Sequence, residues 1–593
     1  MSAYPLKTRL FARCILAVFL TLSHKSHAQE SSPQAYAAYQ AGAAALSHND
    51  LKGALVEFEK VVRLAPSLEQ GHSALGTVLV RMGRTNDGIR ELQKALAMKA
   101  SDLSAQLSLA LAYEQAGQFA KSLPVFAKLE ATSRAEKHPL PAGVLAAYAR
   151  SLAATQAFSA AVTKMREAVA EDPHNAELLD DLGSLYAKQE DWPNAAQAFT
   201  AALQVNPDLG TAHLHLGLTM RAQQQPGALE ELTRAYQLLP QNAVAALELA
   251  KTLESTGNDE QAIPLLQHAM ELDPNSTAAA YQLGLALQRT GKLDDAILLL
   301  QKAAQADAQN AEVLTNLGLA LCQAQRVKEA VPLLQRAVAS TPGNITAHQD
   351  LAAAYIQLNQ LDEAVSQLRA ALQLSPNTAQ LHYNLGIAFK MQDDAADAMP
   401  ELEAAEKLDP SAPEPSYALG LLYLQAGRYA DAARELNTSL QLQPDNGQAW
   451  ATLGSVYNHL DKLPEAAAAL QEAIRRLPQQ PDPHLTLAAV LVKQNQPAEA
   501  TAQRKMAADL MRANMNRQQA EVASNSGDAL LKSGKVEDAI VEFRNALSYD
   551  PNYAQAHLGL ANALQRQGNS IEAAAERKKA ETLATNPAAQ PQP

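Results

Sequence analysis

The stretch Trp450-Ala451-Thr452-Leu453-Gly454-Ser455-Val456-Tyr457 decides the fold, because its central small residue belongs to a clock. Gly454 stands 34 residues after Gly420, and the same interval leads back through Gly386, Ala352, Gly318 and Gly284 to Ala250, and forward to Ala488. Twelve residues after these anchors come Ala262, Ala296, Ala330, Ala364, Ala398, Ala432, Ala466 and Ala500. Seven further on stand Ala269, Ala303, Ala337, Ala371, Ala405, Ser439, Ala473 and Ala507. Pro274, Pro342, Pro376, Pro410, Pro444 and Pro478 close most of the units. A fixed period of this length marks a stack of supersecondary units, each unable to bury its apolar face alone.

The frame extends in both directions with small slips. Upstream it reads Gly42, Gly76, Ala110, Ala149, Gly183 and Gly217, with five extra residues between Ala110 and Ala149. His138-Pro139-Leu140-Pro141 marks a loop there. One residue is missing before Ala250, where Pro226-Gly227 is expected to shorten a turn. Downstream the anchors are Gly527 and Ala561, after a second five-residue excess near Asn514–Gln519. The frame predicts a solenoid of sixteen units over 35–587, with slips near 131–141, 222–228 and 508–520, preceded by a short lead at 29–34 and followed by a disordered tail at 588–593.

Each unit reads as two helices. In Ala379–Phe389 the apolar residues Leu381, Leu385 and Ala388 fall on one helical stripe. Gln392-Asp393-Asp394 makes a turn, Ala395–Leu408 supplies a second helix, and Asp409-Pro410 stops it, since the residue before proline is pushed out of the helical region. Gly386 and Ala398 are placed where the two helices cross, and Ala405 where the next unit begins. Pro124, Pro264, Pro332 and Pro400 fall early in their second helices, where a missing N–H is expected to cost little.

Trp450-Ala451-Thr452-Leu453-Gly454-Ser455-Val456-Tyr457 resembles the first-helix signature of the tetratricopeptide repeat family in full, W-x2-L-G-x2-Y. The family's second-helix element, A-x3-F, is matched at Ala54 and Phe58, at Ala195 and Phe199, and at Ala539 and Phe543, with Leu470 replacing Phe after Ala466. The resemblance implies an all-α fold, a right-handed superhelical solenoid of antiparallel helix pairs whose first helices line a concave groove. It implies protein or peptide ligands bound by contact alone, with no cofactor. The last helix, Asn569–Ala584, carries Glu576, Arg577, Lys578, Lys579 and Glu581, a polar face suited to closing the stack.

Composition agrees with a helical array. The chain has 593 residues, 47% hydrophobic but only 5% aromatic, with 19% charged, too apolar for disorder and too poor in strand formers for a β fold. The formal charge of −13 argues against nucleic-acid binding, which displaces counterions with a basic face. Two cysteines exclude a disulfide scaffold and a Cys-ligated zinc site.

The first 28 residues read as an export signal. Lys7, Arg9 and Arg13 precede the apolar run Cys14–Leu22, and Ser26-His27-Ala28 offers a cleavage site. The run is shorter than the roughly 20 residues that span a bilayer, so no stable membrane insertion is expected after cleavage. Loss of residues 1–28 takes the charge from −13 to −17 and leaves Cys322 as the one thiol. The expected location is the periplasm or the medium.

In the family, first-helix residues three before the anchor, one after it and four after it face the groove. From the eighth unit onward these include Tyr281, Leu285, Leu319, Cys322, Ile356, Tyr383, Ile387, Tyr417, Leu421 and Leu424, an apolar strip suited to a partner peptide with tyrosines as anchors. Earlier units place Asp180, Ser184, Arg221, Lys251 and Glu254 near the same face, open to a different partner. The slot three before the anchor never holds Lys or Arg, so a carboxylate clamp is not expected; Asn316, Asn384 and Asn525 alone hold Asn two before it, so neither is a continuous Asn ladder.

Nothing points to catalysis. No segment outside the repeats could house a catalytic domain, and no phosphate-cradling Gly loop or His-Glu-x-x-His is present. His213 and His215 diverge by about 200° on a helix, so they are not aimed at one metal. His348 and His382 recur at one slot and read as structural, and Cys322 as an inert small residue. The expected role is a non-enzymatic scaffold of an envelope or exported assembly. The alternative is an accessory subunit presenting substrates to a separate glycosyltransferase or hydrolase.

Overall fold

A computed structural model describes residues 33–584; the proposed signal and the tail lie outside them. The described residues form 31 helices and no strand. They group into two units, one up to Ala306 and one from Asp307.

Within each unit the helices follow one another as antiparallel pairs, and each second helix packs on the first helix of the pair after it. The expected hairpin is present: Ala379–Met391 and Ala395–Leu408 flank a turn at 392–394. At the crossing, a Cβ on Gly386 would lie 2.7 Å from Leu402 Cγ and 3.2 Å from the Ala398 carbonyl oxygen. The period of small residues is therefore steric. Leu402, Ala398 and Ala405 are fully buried, and burying a leucine contributes about 1.5–3 kcal/mol.

The turns share a device that the letters hide. Each hairpin turn holds a residue with positive φ, from Asn49 through Gly83, Gly117, Gln156 and Glu190 to Asn495, Gly534 and Gly568. In the hairpin of 379–408, Asp393 takes φ 59° and the Asp394 N–H reaches back to the Phe389 carbonyl at 3.0 Å. This six-to-one bond satisfies a carbonyl left free at the helix end.

Several first helices start on side-chain caps. Asn310, Asn344 and Asn446 accept from the N–H groups of Val313, Ala347 and Ala449 at 3.0–3.2 Å.

The three slips resolve differently from one another. The extra residues near 131–141 lengthen a second helix, Phe119–Glu136, before the expected loop at 138–141. The missing residue near 222–228 does not shorten a turn, as expected from Pro226-Gly227. The turn there is long, and the following helix, Ala228–Leu238, has only 11 residues. The excess near 508–520 makes no break at all. Asn514–Gln519 contains no proline or glycine, and one 36-residue helix, Pro497–Lys532, serves as second helix of one hairpin and first helix of the next. Sixteen hairpins thus need only 31 helices.

The four prolines also need a correction. Pro124, Pro264, Pro332 and Pro400 each sit sixth in their helices. That is beyond the N–H groups a helix start leaves free, so each removes one internal hydrogen bond.

Candidate partner-binding groove

Successive first helices touch one another within each unit: 311–323 with 345–357, and 379–391 with 413–425. This brings Leu319 and Ile356 to neighbouring helices, and Tyr383 and Ile387 beside the helix of Tyr417, Leu421 and Leu424. All seven of these are half-buried. Tyr281 and Leu285, in the unit ending at Ala306, are half-buried as well. Cys322 departs from the strip: it is 7% exposed, and burial together with the Asp350 charge pushes its thiol up to about 11. It is no nucleophile at neutral pH. Burial and the approach of Glu414 raise the Tyr383 hydroxyl above its ordinary value.

One acidic side chain interrupts this apolar face. Asp350 stands two before its anchor, its Oδ2 is buried without a hydrogen-bond partner, and burial raises its carboxyl to about 6. A buried acceptor without a donor is costly, and a donor from a bound chain would relieve it. Its slot was visible in the sequence; its burial was not.

The earlier polar positions are occupied by one another. Arg150 reaches Glu114 at 2.8 Å and Asp181 at 3.8 Å, and His215 meets Asp180 at 2.8 Å. Burial raises Asp181 to about 7, with Arg150 opposing and Asp180 adding to the shift. Arg221 and Lys251 both pair with Glu248, and Glu254 accepts from Arg289 at 2.6 Å. The pairs of Arg150, His215, Arg221 and Arg289 link consecutive first helices, so Asp180, Arg221 and Glu254 are engaged within the array.

The histidines settle as structural. His213 turns to Glu231 and the Pro207 carbonyl while His215 turns to Asp180. Among the described residues no group of three or more His, Cys, Asp or Glu could hold a metal, and no helix is long and apolar enough to cross a membrane.

Family models place this geometry. One described as tetratricopeptide repeat matches residues 73–136, 181–227, 281–345 and 417–481. A second of that description matches 219–287, and one described as TPR repeat matches 353–393 and 527–568. The chain belongs to the tetratricopeptide repeat family. No curated protein matches this repeat protein. Among solved structures, it is similar to YrrB, described as a TPR protein with an unusual peptide-binding site, at 26% identity over 34% of this chain and 99% of that one, with a TM-score of 0.29. Cut9–Hcn1, from an APC/C hetero-tetramer, shows 16% identity over 94% of this chain and 99% of that one, with a TM-score of 0.32. MamA from Desulfovibrio magneticus RS-1 shows 24% identity over 28% and 96%, with a TM-score of 0.28.

Proposed function

We propose that this tetratricopeptide repeat protein is a non-enzymatic scaffold that holds a partner's peptide segment on the first-helix face between Leu319 and Leu424. The observation that carries this reading is the half-buried apolar strip centred on Tyr383 and Tyr417, two aromatic side chains on adjoining first helices. Half-buried tyrosines lose little entropy on binding and offer both apolar area and a polar tip. The unsatisfied Asp350 carboxylate supplies one acceptor for a donor on the partner.

The compartment we assign is exported, periplasmic or secreted, on the strength of the N-terminal leader read from Lys7 to Ala28. A mature N-terminus at Gln29, measured by mass spectrometry, is the expected result; an intact Met1 in the native protein would remove the assignment.

The groove is tested by capture from native extract with the wild-type chain and with Tyr383→Ala/Tyr417→Ala. The double variant should lose a partner that the wild type retains, at unchanged helical circular dichroism. Equal capture by both would end the groove reading.

A further inference from the structure

Except after Gly217, where Leu232 one residue earlier does so, the slot sixteen residues after an anchor usually holds the large side chain that fills its own hairpin. Phe58, Phe126, Leu266, Leu402 and Phe543 occupy it and are at most 1% exposed. Two hairpins break the rule with arginine: Arg504 after Ala488 and Arg577 after Ala561, both exposed. Four residues later, Ala508 and Glu581 are exposed too, where Val338, Glu406 and Leu440 are covered or half-covered. The two helices also share letters, since Glu499, Ala500, Arg504, Lys505, Ala507 and Leu510 align with Glu572, Ala573, Arg577, Lys578, Ala580 and Leu583. The second of them is the last described helix, so residues 497–510 have the make-up of an end helix. Yet the chain runs on through the same helix to Lys532.

This continuation leaves a seat empty of its usual occupant. Within each unit a second helix is otherwise covered by the first helix that follows it, but here the next first helix is its own extension. The described helices packed on it are 482–493, 536–549 and 554–567. At 100° per residue, Arg504, Ala508, Met511, Arg512, Met515 and Val522 share an arc of about 100°. All six are exposed, Met515 by 54% and Val522 by 66%. The arc contains two arginines and no acid; Asp509 lies outside it, 4.0 Å from Arg512. Exposed methionines adapt readily to an apolar partner, and large apolar side chains in line on a surface mark an interaction site.

We propose that this face of the Pro497–Lys532 helix docks an acidic amphipathic helix of a partner protein, seated where a following first helix would lie. Apolar side chains of the partner pack on Met511, Met515 and Val522, and its carboxylates meet Arg504 and Arg512. Charge selects the occupant: the face is basic on a chain whose net charge is −13, so complementarity favours an acidic partner at this place.

The test is fluorescence anisotropy of a labelled amphipathic peptide, leucines on one stripe flanked by glutamates, titrated with the full chain. Saturable binding that weakens at least about tenfold in Met511→Glu/Met515→Glu and in Arg504→Glu/Arg512→Glu, and with added salt, is the expected result. A lysine-flanked version of the peptide should not bind, and Tyr383→Ala/Tyr417→Ala should bind the probe as the wild type does, which separates this face from the groove. Because the substituted side chains are exposed, circular dichroism should remain unchanged. Equal binding of both peptides, or binding indifferent to the four substitutions, overturns the proposal. So does retention of the chain on phosphatidylglycerol vesicles without peptide binding, or a dimer in sedimentation that the same substitutions dissociate.

Discussion

Glu401 Oε2 lies 2.6 Å from Nδ1 of His382, nineteen residues earlier, while Nε2 of the same ring donates to the Pro376 carbonyl at 2.9 Å. One ring thereby ties the second helix of its hairpin to the loop before it. The arrangement recurs at His72, His213 and His557, each between a glutamate and a proline carbonyl. Trp450 keeps the loop half alone, its Nε1 donating to the Pro444 carbonyl at 2.8 Å. Replacing His382 by Phe should therefore cost about 1–3 kcal/mol locally, for two lost hydrogen bonds, and His382→Trp should recover part of it. Hydrogen exchange in the loop at 375–378 measures both, and equal protection in the two variants would show that the loop bond contributes nothing.

Gly386 offers a steric test of the crossing. Since an added Cβ would meet Leu402 at 2.7 Å, Gly386→Trp should separate the helices of its hairpin and cost about 3 kcal/mol or more, at the upper end of overpacking effects. Coupling in a repeat array runs between neighbours, so lost hydrogen-exchange protection should centre on 379–408. A uniform loss over all described helices would contradict nearest-neighbour coupling.

The 34-residue period was legible because helix crossings demand small residues, and small residues show in the letters. The junction at 508–520 was not. Its five extra residues read as a slip, yet Asn514–Gln519 carries no breaker, and a helix continues wherever nothing stops it. The strip from Leu319 to Leu424 could be placed by slot, but whether a slot is covered depends on the neighbouring hairpin, as buried Cys322 beside half-buried Leu319 shows. The pairing of Asp180 with His215 lay 35 residues apart and became visible only when adjacent first helices were set side by side.

Turn conformation gives a prediction with opposite signs at two equivalent places. Gln325 holds φ 60° with an exposed side chain, whereas Gly291 holds φ 78° in the preceding turn of the repeat frame. A left-handed conformation costs a side-chain-bearing residue about 1–2 kcal/mol, partly offset by the freedom glycine adds to the unfolded chain. Gln325→Gly should then stabilise its hairpin by about 0.5–1 kcal/mol and Gly291→Ala should destabilise its own by a similar amount. Urea unfolding and local hydrogen exchange read both, and matching signs would refute the account.

Asp350 makes stability fall as pH rises. Its carboxyl is raised by burial to about 6 in the folded chain, from an ordinary value of 3.8. The folded state therefore holds the proton more tightly than the unfolded state between those values, and stability declines from about pH 4 to pH 6 and is level above. Asp350→Asn keeps the shape without the charge, so it should flatten this decline and stabilise the hairpin of 345–374 at pH 8 by about 1–2 kcal/mol, after allowance for partial exposure. If the Oδ2 atom serves as an acceptor for a partner's donor, the same variant should also weaken groove capture above pH 7, where the wild-type carboxylate is ionised. Hydrogen exchange across 345–374 at pH 5 and pH 8 separates the two effects. An identical pH slope in wild type and variant would show that the buried carboxyl does not set it.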